Sequence, residues 1–402
     1  MDNELYSDLS INLSKKIDKN TKQQEGIYFS SKNTINHATQ IIRPFIKNKM
    51  TILEPSCGTC EFISKLDNEV KQCNIDCIEL NKTIFNEIQS LKFKNTTNII
   101  HHDFLTYNAD KTYDLIIGNP PYFVIPKNSV DKKYHPYFSG RPNIFNIFIA
   151  KSLELLKKDG ILCFVLPKPF LNCIYYDNMR SYIYNNFQII AIEETTEAKF
   201  IDTSQETIIF VVQNSKPNSN DNFTIMKSNF TIFQHNDCIT SIKELYNNST
   251  TLDEMNFKVS VGKIVWNQKK SELTDDNTKT MLIYSSNMEN GKIVDKEFKD
   301  VNKKQYINHE GTTDICLIVN RGYGNGEYKF NYALINQKKP YLLENHVICI
   351  SPQVKMPKTK LMSQYQKIMR SFDNDKTQQF IKQYFSNNAI NVTELQHILP
   401  IY

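Results

Sequence analysis

Through the first half of the chain, short apolar runs alternate with stretches of helical period. Residues 49–53, 74–78, 98–101, 114–117, 161–166 and 187–192 read as strands, the most apolar of them buried on both faces. Between them, Ile35, Ala38 and Ile42 share one helical face with Ser31 or Asn33 as cap. Phe145, Ile149, Leu153 and Leu156 share another, stopped by the basic, glycine-ended run 157–160, and residues 178–187 read as a further helix. Residues 206–213 and 223–226 are expected to pair as a hairpin around the polar turn 214–221. This order predicts an α/β domain built on a doubly wound sheet and ending near residue 245. Residues 246–253 are polar and aperiodic and read as a linker. Beyond them the strand-like runs 258–266, 281–284, 315–319 and 347–350 alternate with polar turns before a helical stretch at 362–372, a mixed α+β pattern. The expected division is a lead-in at 1–24, one domain at 25–245 and another at 246–402.

Composition changes this picture little. Of the 402 residues, 40% are hydrophobic and 23% charged, which fits two packed domains and argues against disorder. No run of eighteen apolar residues occurs and residues 1–4 lack the start of a signal peptide, so no membrane partner and a cytoplasmic location are expected. Nine cysteines without a framework fit reduced thiols. The net charge of +5 is unevenly placed: residues 1–250 carry 27 basic and 27 acidic side chains, residues 251–402 carry 21 and 16. The excess in the last third fits a polyanion-binding face as well as a solvated surface.

The chemistry concentrates at strand ends. The run Glu54-Pro-Ser-Cys-Gly58 is a small-residue turn between a strand and a helix, where a doubly wound sheet holds a nucleoside-bearing cofactor. The next strand ends in Glu79, placed to accept from ribose hydroxyls, and the third in Asp103-Phe104, a carboxylate and an aromatic suited to an adenine ring. The fourth ends in Asn119-Pro-Pro-Tyr122. Two prolines make that loop stiff and acceptor-rich, because neither offers an N–H. The Asn119 side-chain carbonyl and the Pro120 backbone carbonyl suit a planar NH2 group, with the Tyr122 ring beside it. Two acceptors aimed at such an NH2 return its delocalised lone pair to nitrogen and make it nucleophilic. Residues 123–142, with Lys132, Lys133, Tyr134, His135, Tyr137 and Arg141, read as a lid over this site that touches nucleic acid.

With these residues in hand, the chain resembles the gamma group of N6-adenine DNA methyltransferases, as found in type II restriction-modification systems. The resemblance covers roughly residues 26–213 and the order of parts. It implies a class I, Rossmann-like S-adenosylmethionine (AdoMet) methyltransferase sheet followed by a DNA target-recognition domain. It implies that Tyr28 and Ser30 lie near the methionine end of the cofactor, with Glu54, Ser56 and Gly58 in its first motif. Glu79 becomes the ribose acid, Asp103 and Phe104 the adenine pair, and Asn119 also borders the cofactor. Asn119, Pro120 and Tyr122 become the catalytic loop, and Phe200, in Glu197-Ala-Lys-Phe200, stacks on the far face of a flipped base. Cys60 stands where many relatives have glycine, which puts a close backbone approach to the cofactor in question. The implied partner is double-stranded DNA, read by side chains such as Asn267, Gln268 and Arg321. A monomer with a separate cognate restriction endonuclease is expected, and no metal.

Two methyltransferase readings share the loop: an N5-glutamine protein methyltransferase, which needs no second domain of this size, and an RNA N6-adenine enzyme. An N4-cytosine enzyme usually has serine at the position of Asn119. From another class, Cys57-Gly-Thr-Cys60 has the spacing of a redox pair and, with Cys73 and Cys77, of a zinc site.

Overall fold

The computed structural model describes residues 5–195, 205–322, 328–385 and 389–402. It divides into two compact units, Met1–Ile239 and Thr240–Tyr402, the division falling within the helix Asn236–Leu245.

In the first unit, helices α1 (Asp8–Lys16), α2 (Lys19–Glu25) and α3 (Lys32–Ile42) precede strand β1 (Thr51–Glu54). Then come α4 (Glu61–Leu66), β2 (Asn74–Glu79), α5 (Lys82–Ile88), β3 (Thr96–His101), β4 (Tyr113–Gly118), α6 (Ile144–Leu155), β5 (Leu156–Pro167), α7 (Asp177–Asn186), β6 (Gln188–Glu194) and β7 (Thr207–Gln213). These strands form one sheet in the order β3-β2-β1-β4-β5-β7-β6. Strands β1 to β5 pair in parallel, and β7 runs antiparallel between β5 and β6. This is the doubly wound α/β sheet expected from the alternation. Its apolar runs are nearly continuous because both faces are covered. Leu53, Ile116, Leu162, Phe164 and Phe210 pack on one face beneath α6 and α7. Ile52, Leu115, Ile117, Cys163 and Val211 pack on the other beneath α3, α4 and α5. The strand order reverses at β1/β4, so the crevice for a ligand opens at the carboxyl ends of those two strands.

Four expectations change. The N-terminal stretch is no loose lead-in: Ser7 and Asp18 cap α1 and α2, and Ser10 Oγ lies 2.8 Å from Thr59 Oγ1 in the first cofactor-type turn. Helix α6 stops at Leu155, before the basic run, because Leu156 already pairs with Tyr113 and Lys157 bonds Asp114 Oδ2 at 2.8 Å. Strand β7 does not pair with residues 223–226. It is buried along almost its whole length and takes a sheet partner on each side, leaving Thr224–Lys227 to pair with Phe230–Phe233. In the expected lid, Tyr134 and Phe138 are buried in the core and Tyr137 packs at a tilt against Tyr182, so these rings pack and only Lys132, Lys133 and Arg141 of the basic set stay exposed.

The second unit is mixed α+β, as its pattern predicts. One antiparallel sheet orders Phe257–Val261, Val347–Pro352, Cys316–Asn320 and Tyr332–Ile335. A smaller sheet contains Thr280–Ile283 and Tyr341–Leu343 in parallel. Helices Lys358–Phe372 and Asp375–Tyr384 follow, and the Tyr365 hydroxyl donates to Ile350 O at 3.0 Å. No helix among the described residues is long and apolar enough to cross a membrane.

Candidate active site

A crevice opens at the carboxyl ends of β1, β2, β3 and β4. It is lined among others by Tyr28, Ser56, Gly58, Glu79, Asp103 and Asn119, and by Phe104 at its wall. A smaller recess beside it shares Tyr28, Ser56, Gly58 and Asn119 and adds Ser30 and Glu54. Nine residues singled out along 92 positions of chain therefore meet in one place. The separate strand ends form a single site because parallel strands deliver their carboxyl ends to one edge.

Each carboxylate has a distinct environment. Glu79 accepts from the Gly58 N–H at 2.9 Å and the Asn81 N–H at 2.7 Å, but burial outweighs these bonds and pushes its carboxyl up to about 7. Glu54 is buried, and its Oε2 has no partner among the described residues. Burial first, then the neighbouring acidic groups, raise its carboxyl well above the usual range. A buried carboxylate oxygen with nothing bonded to it suits an incoming cation, as the ammonium of an amino-acid moiety would be. Asp103 holds its own turn, accepting from the Leu105 N–H at 2.8 Å.

The loop after β4 is held from three sides. Asn119 Nδ2 donates to Tyr28 O at 3.0 Å and to Ser30 Oγ at 3.2 Å. Since a backbone carbonyl only accepts, this fixes which way the amide faces and turns Oδ1 the other way. There the Tyr122 hydroxyl donates to Oδ1, and it also lies 2.7 Å from Val165 O. The Ser56 hydroxyl donates to Asn119 O at 3.1 Å. The enclosed Tyr122 hydroxyl has its ionisation pushed well up by burial, so it stays a donor. Pro121 lines the crevice; Pro120 and Tyr122 stand behind it in the same loop. Phe200, with the run 197–199, lies outside the described residues.

Gly26 sets how closely the N-terminal segment approaches this loop. It ends α2 at φ +64°, and a Cβ there would stand 2.8 Å from Tyr122 N and 2.9 Å from Pro121 Cβ. Cys60 also takes a left-handed conformation, φ 59°, which explains why glycine suits that position. Its thiol is buried in the core and does not line the crevice. Cys57, Cys73 and Cys77 are buried as well, and among the described residues no group of three or more ligating side chains is placed to hold a metal.

Sequence reasoning missed two contributors. Leu80, directly after Glu79, is 57% exposed and gives the crevice an apolar wall. Lys151 is buried on α6, and its Nζ donates to Phe104 O at 2.6 Å, Leu105 O at 3.0 Å and Tyr107 O at 2.6 Å, while lying 5.0 Å over the Phe104 ring. All three of its donors hold the turn that carries Asp103 and Phe104. The available signal was a single lysine inside a mostly apolar helix.

The chain is similar to known methyltransferases. Residues 62–200 match the family model described as Eco57I restriction-modification methylase. The chain is 24% identical to the type II methyltransferase M.CvrRI of Paramecium bursaria Chlorella virus XZ-6E, over 99% of each chain. It is 25% identical to the modification methylase CviBIII of Paramecium bursaria Chlorella virus NC1A, over 100% of each. Among solved structures, a DrdV–DNA complex aligns with a TM-score of 0.51 at 12% identity, covering 92% of this chain and 54% of that one, a likeness of fold.

Proposed function

We propose that this chain, similar to type II restriction-modification methyltransferases, is an AdoMet-dependent DNA methyltransferase that methylates the N6 of an adenine flipped out of duplex DNA. The observation that carries this reading is the fixed Asn119 amide, whose oxygen is turned away from Tyr28 and Ser30 by the two bonds its nitrogen makes.

The residues present fit the cofactor. The unpartnered Glu54 oxygen suits its ammonium, Glu79 its ribose hydroxyls, and Asp103 its adenine amine, with Leu80 and Phe104 against the ring. When bound, AdoMet supplies a methyl group on a sulfonium. The chain's own residues prepare the nucleophile. Tyr122 has one hydroxyl proton and two acceptors within reach, Asn119 Oδ1 and Val165 O. Turning that proton to Val165 frees Oδ1 to accept from the target NH2, and the Pro120 carbonyl accepts the second hydrogen. With both hydrogens held by Asn119 and Pro120, the N6 lone pair would be drawn back from the ring onto nitrogen and made nucleophilic towards the methyl group that the bound cofactor would supply. The extra proton leaves N6 afterwards, so no base is needed before attack. Tyr122 and Phe200 are assigned to the two faces of the flipped base, whose extraction costs a few kcal/mol. The unit Thr240–Tyr402 is assigned to target recognition, and a separate endonuclease is the expected partner.

The test is transfer of labelled methyl groups from AdoMet to unmethylated duplex DNA, followed by nucleoside analysis. The wild type is expected to yield N6-methyladenine, and Asn119→Ala to lose at least about 100-fold in kcat. Label in an RNA or protein fraction, with none in DNA, overturns the reading.

A further inference from the structure

We propose that a polar cleft in the second unit reads the major-groove edge of a guanine in the target sequence, with Arg321 as the reading side chain; this rests on the DNA reading above. The cleft, of about 200 Å³, is lined by Ser285, Ser286, Asn320, Arg321, Asn331 and His346, with Gly322 at its rim.

Some of these side chains are already committed to building the wall. Asn320 Oδ1 accepts from the Tyr328 hydroxyl at 3.0 Å and the Asn331 N–H at 2.8 Å, and its Nδ2 donates to Lys329 O at 3.0 Å. Asn331 Nδ2 donates to Met288 O at 2.9 Å. His346 is oriented by Glu344, which is buried: Nδ1 lies 2.9 Å from Glu344 Oε1, and the His346 N–H donates to Oε2 at 2.9 Å. That leaves Nε2 as the ring's remaining polar atom.

Arg321 is different. Its backbone carbonyl is anchored by the Ile390 N–H at 3.0 Å, while its guanidinium has no hydrogen bond or ion pair with any described residue. The hydroxyls of Ser285 and Ser286 are likewise without a partner among the described residues. A fixed backbone carrying an uncommitted, exposed fork of donors inside a concave polar wall is a pre-organised reader.

The chemistry of the free groups selects the base. An adenine edge offers an acceptor and a donor and is matched by an amide side chain, but both asparagine side chains here donate to backbone carbonyls in the wall. A guanine edge offers two acceptors, N7 and O6, which the guanidinium fork spans bidentately. Arg321 therefore specifies guanine, with Ser285, Ser286 and His346 around it.

The experiment expresses the wild type in a host without endogenous adenine methylation and maps N6-methyladenine across the genome by single-molecule sequencing, alongside Arg321→Ala and Arg321→Gln. The expected wild-type motif contains a guanine at which Arg321→Ala accepts other bases, discrimination falling roughly 10- to 100-fold. Arg321→Gln is expected to shift that position towards adenine. On the unaltered enzyme, 7-deazaguanine at the same position removes the N7 acceptor and is expected to lower kcat/KM about tenfold, so the proposal is tested even where a variant fails to fold. A motif without guanine, a uniform loss at every motif position as from a phosphate contact, or full tolerance of 7-deazaguanine overturns the proposal. Wild-type label on a base other than adenine instead overturns the adenine reading, leaving the guanine test intact.

Discussion

If Glu79 holds the cofactor ribose as proposed, it would couple cofactor binding to pH. Buried, it holds its proton up to about 7, against a usual value of 4.5. Between those values the folded chain binds more protons than the unfolded one, so the contribution of Glu79 to stability is full below 4.5 and is lost as pH rises to about 7. Cofactor binding carries the opposite sign, because ribose hydroxyls donate to the ionised carboxylate. AdoMet affinity is therefore expected to tighten from pH 6 to pH 8, with proton release measurable by calorimetry in buffers of different ionisation enthalpy. Glu79→Gln is expected to remove the component centred near 7. Cys60 gives a second test at this scale. Its left-handed backbone strains any β-branched side chain, so Cys60→Val is expected to lower stability by about 2 kcal/mol. Cys60→Gly relieves the strain while losing a buried thiol, and chemical denaturation should place it within about 1 kcal/mol of the wild type. Asn119, Glu79 and Asp103 were legible in the sequence because each stands where a predicted strand ends. Lys151 was not, since what matters about it is which carbonyls it holds, and Arg321 was named by residue type alone, since the fold decides whether its guanidinium stays uncommitted.

Among elements, α2 and α6 act on the site without contributing its chemistry. The end of α2 presses its Gly26 backbone against the Pro-Pro loop. Gly26→Ala adds a left-handed alanine and a contact under 3 Å against backbone, which the loop can relieve only by moving. Its expected signature is a kcat loss of at least about tenfold with a modest drop in thermal stability, read by steady-state kinetics beside calorimetry. In α6, Lys151→Met leaves three backbone carbonyls without their donor and frees the turn at Asp103. Equilibrium titration is expected to show AdoMet bound about tenfold more weakly, with kcat at saturation little changed. Loss of preference for the 6-amino over a 6-oxo purine analogue of the cofactor product would mark positioning rather than general destabilisation. The elements themselves were well foreseen where period was clear, as in α3 and β4. The predicted 206–226 hairpin failed because an apolar strand beside a polar turn looks the same whether its partner is the next strand or a distant one.

Across the whole chain, the proposed reading assigns the two binding events to regions of different charge. The excess of basic side chains lies in residues 251–402, 21 against 16 acidic, whereas the cofactor crevice lies wholly within the first unit. Raising salt from roughly 50 to 200 mM is expected to weaken duplex DNA binding at least about tenfold, and to leave AdoMet binding nearly unchanged, in parallel titrations.

What the sequence determined by itself was the periodic and the local. Apolar runs with intervening amphipathic stretches required a doubly wound sheet, and acids at the ends of its strands required a site at one edge. Asn-Pro-Pro-Tyr carried its stiffness in its own covalent geometry. Only the tertiary structure decided where long-range partners lay. It inserted β7 between β5 and β6, turned the rings of the expected lid into core, left a Glu54 oxygen unbonded and committed Lys151 to a turn more than forty residues upstream. The physical reason is that period and turn chemistry are fixed within a few residues, whereas hydrogen-bond partners and sheet neighbours depend on contacts closed across the whole chain.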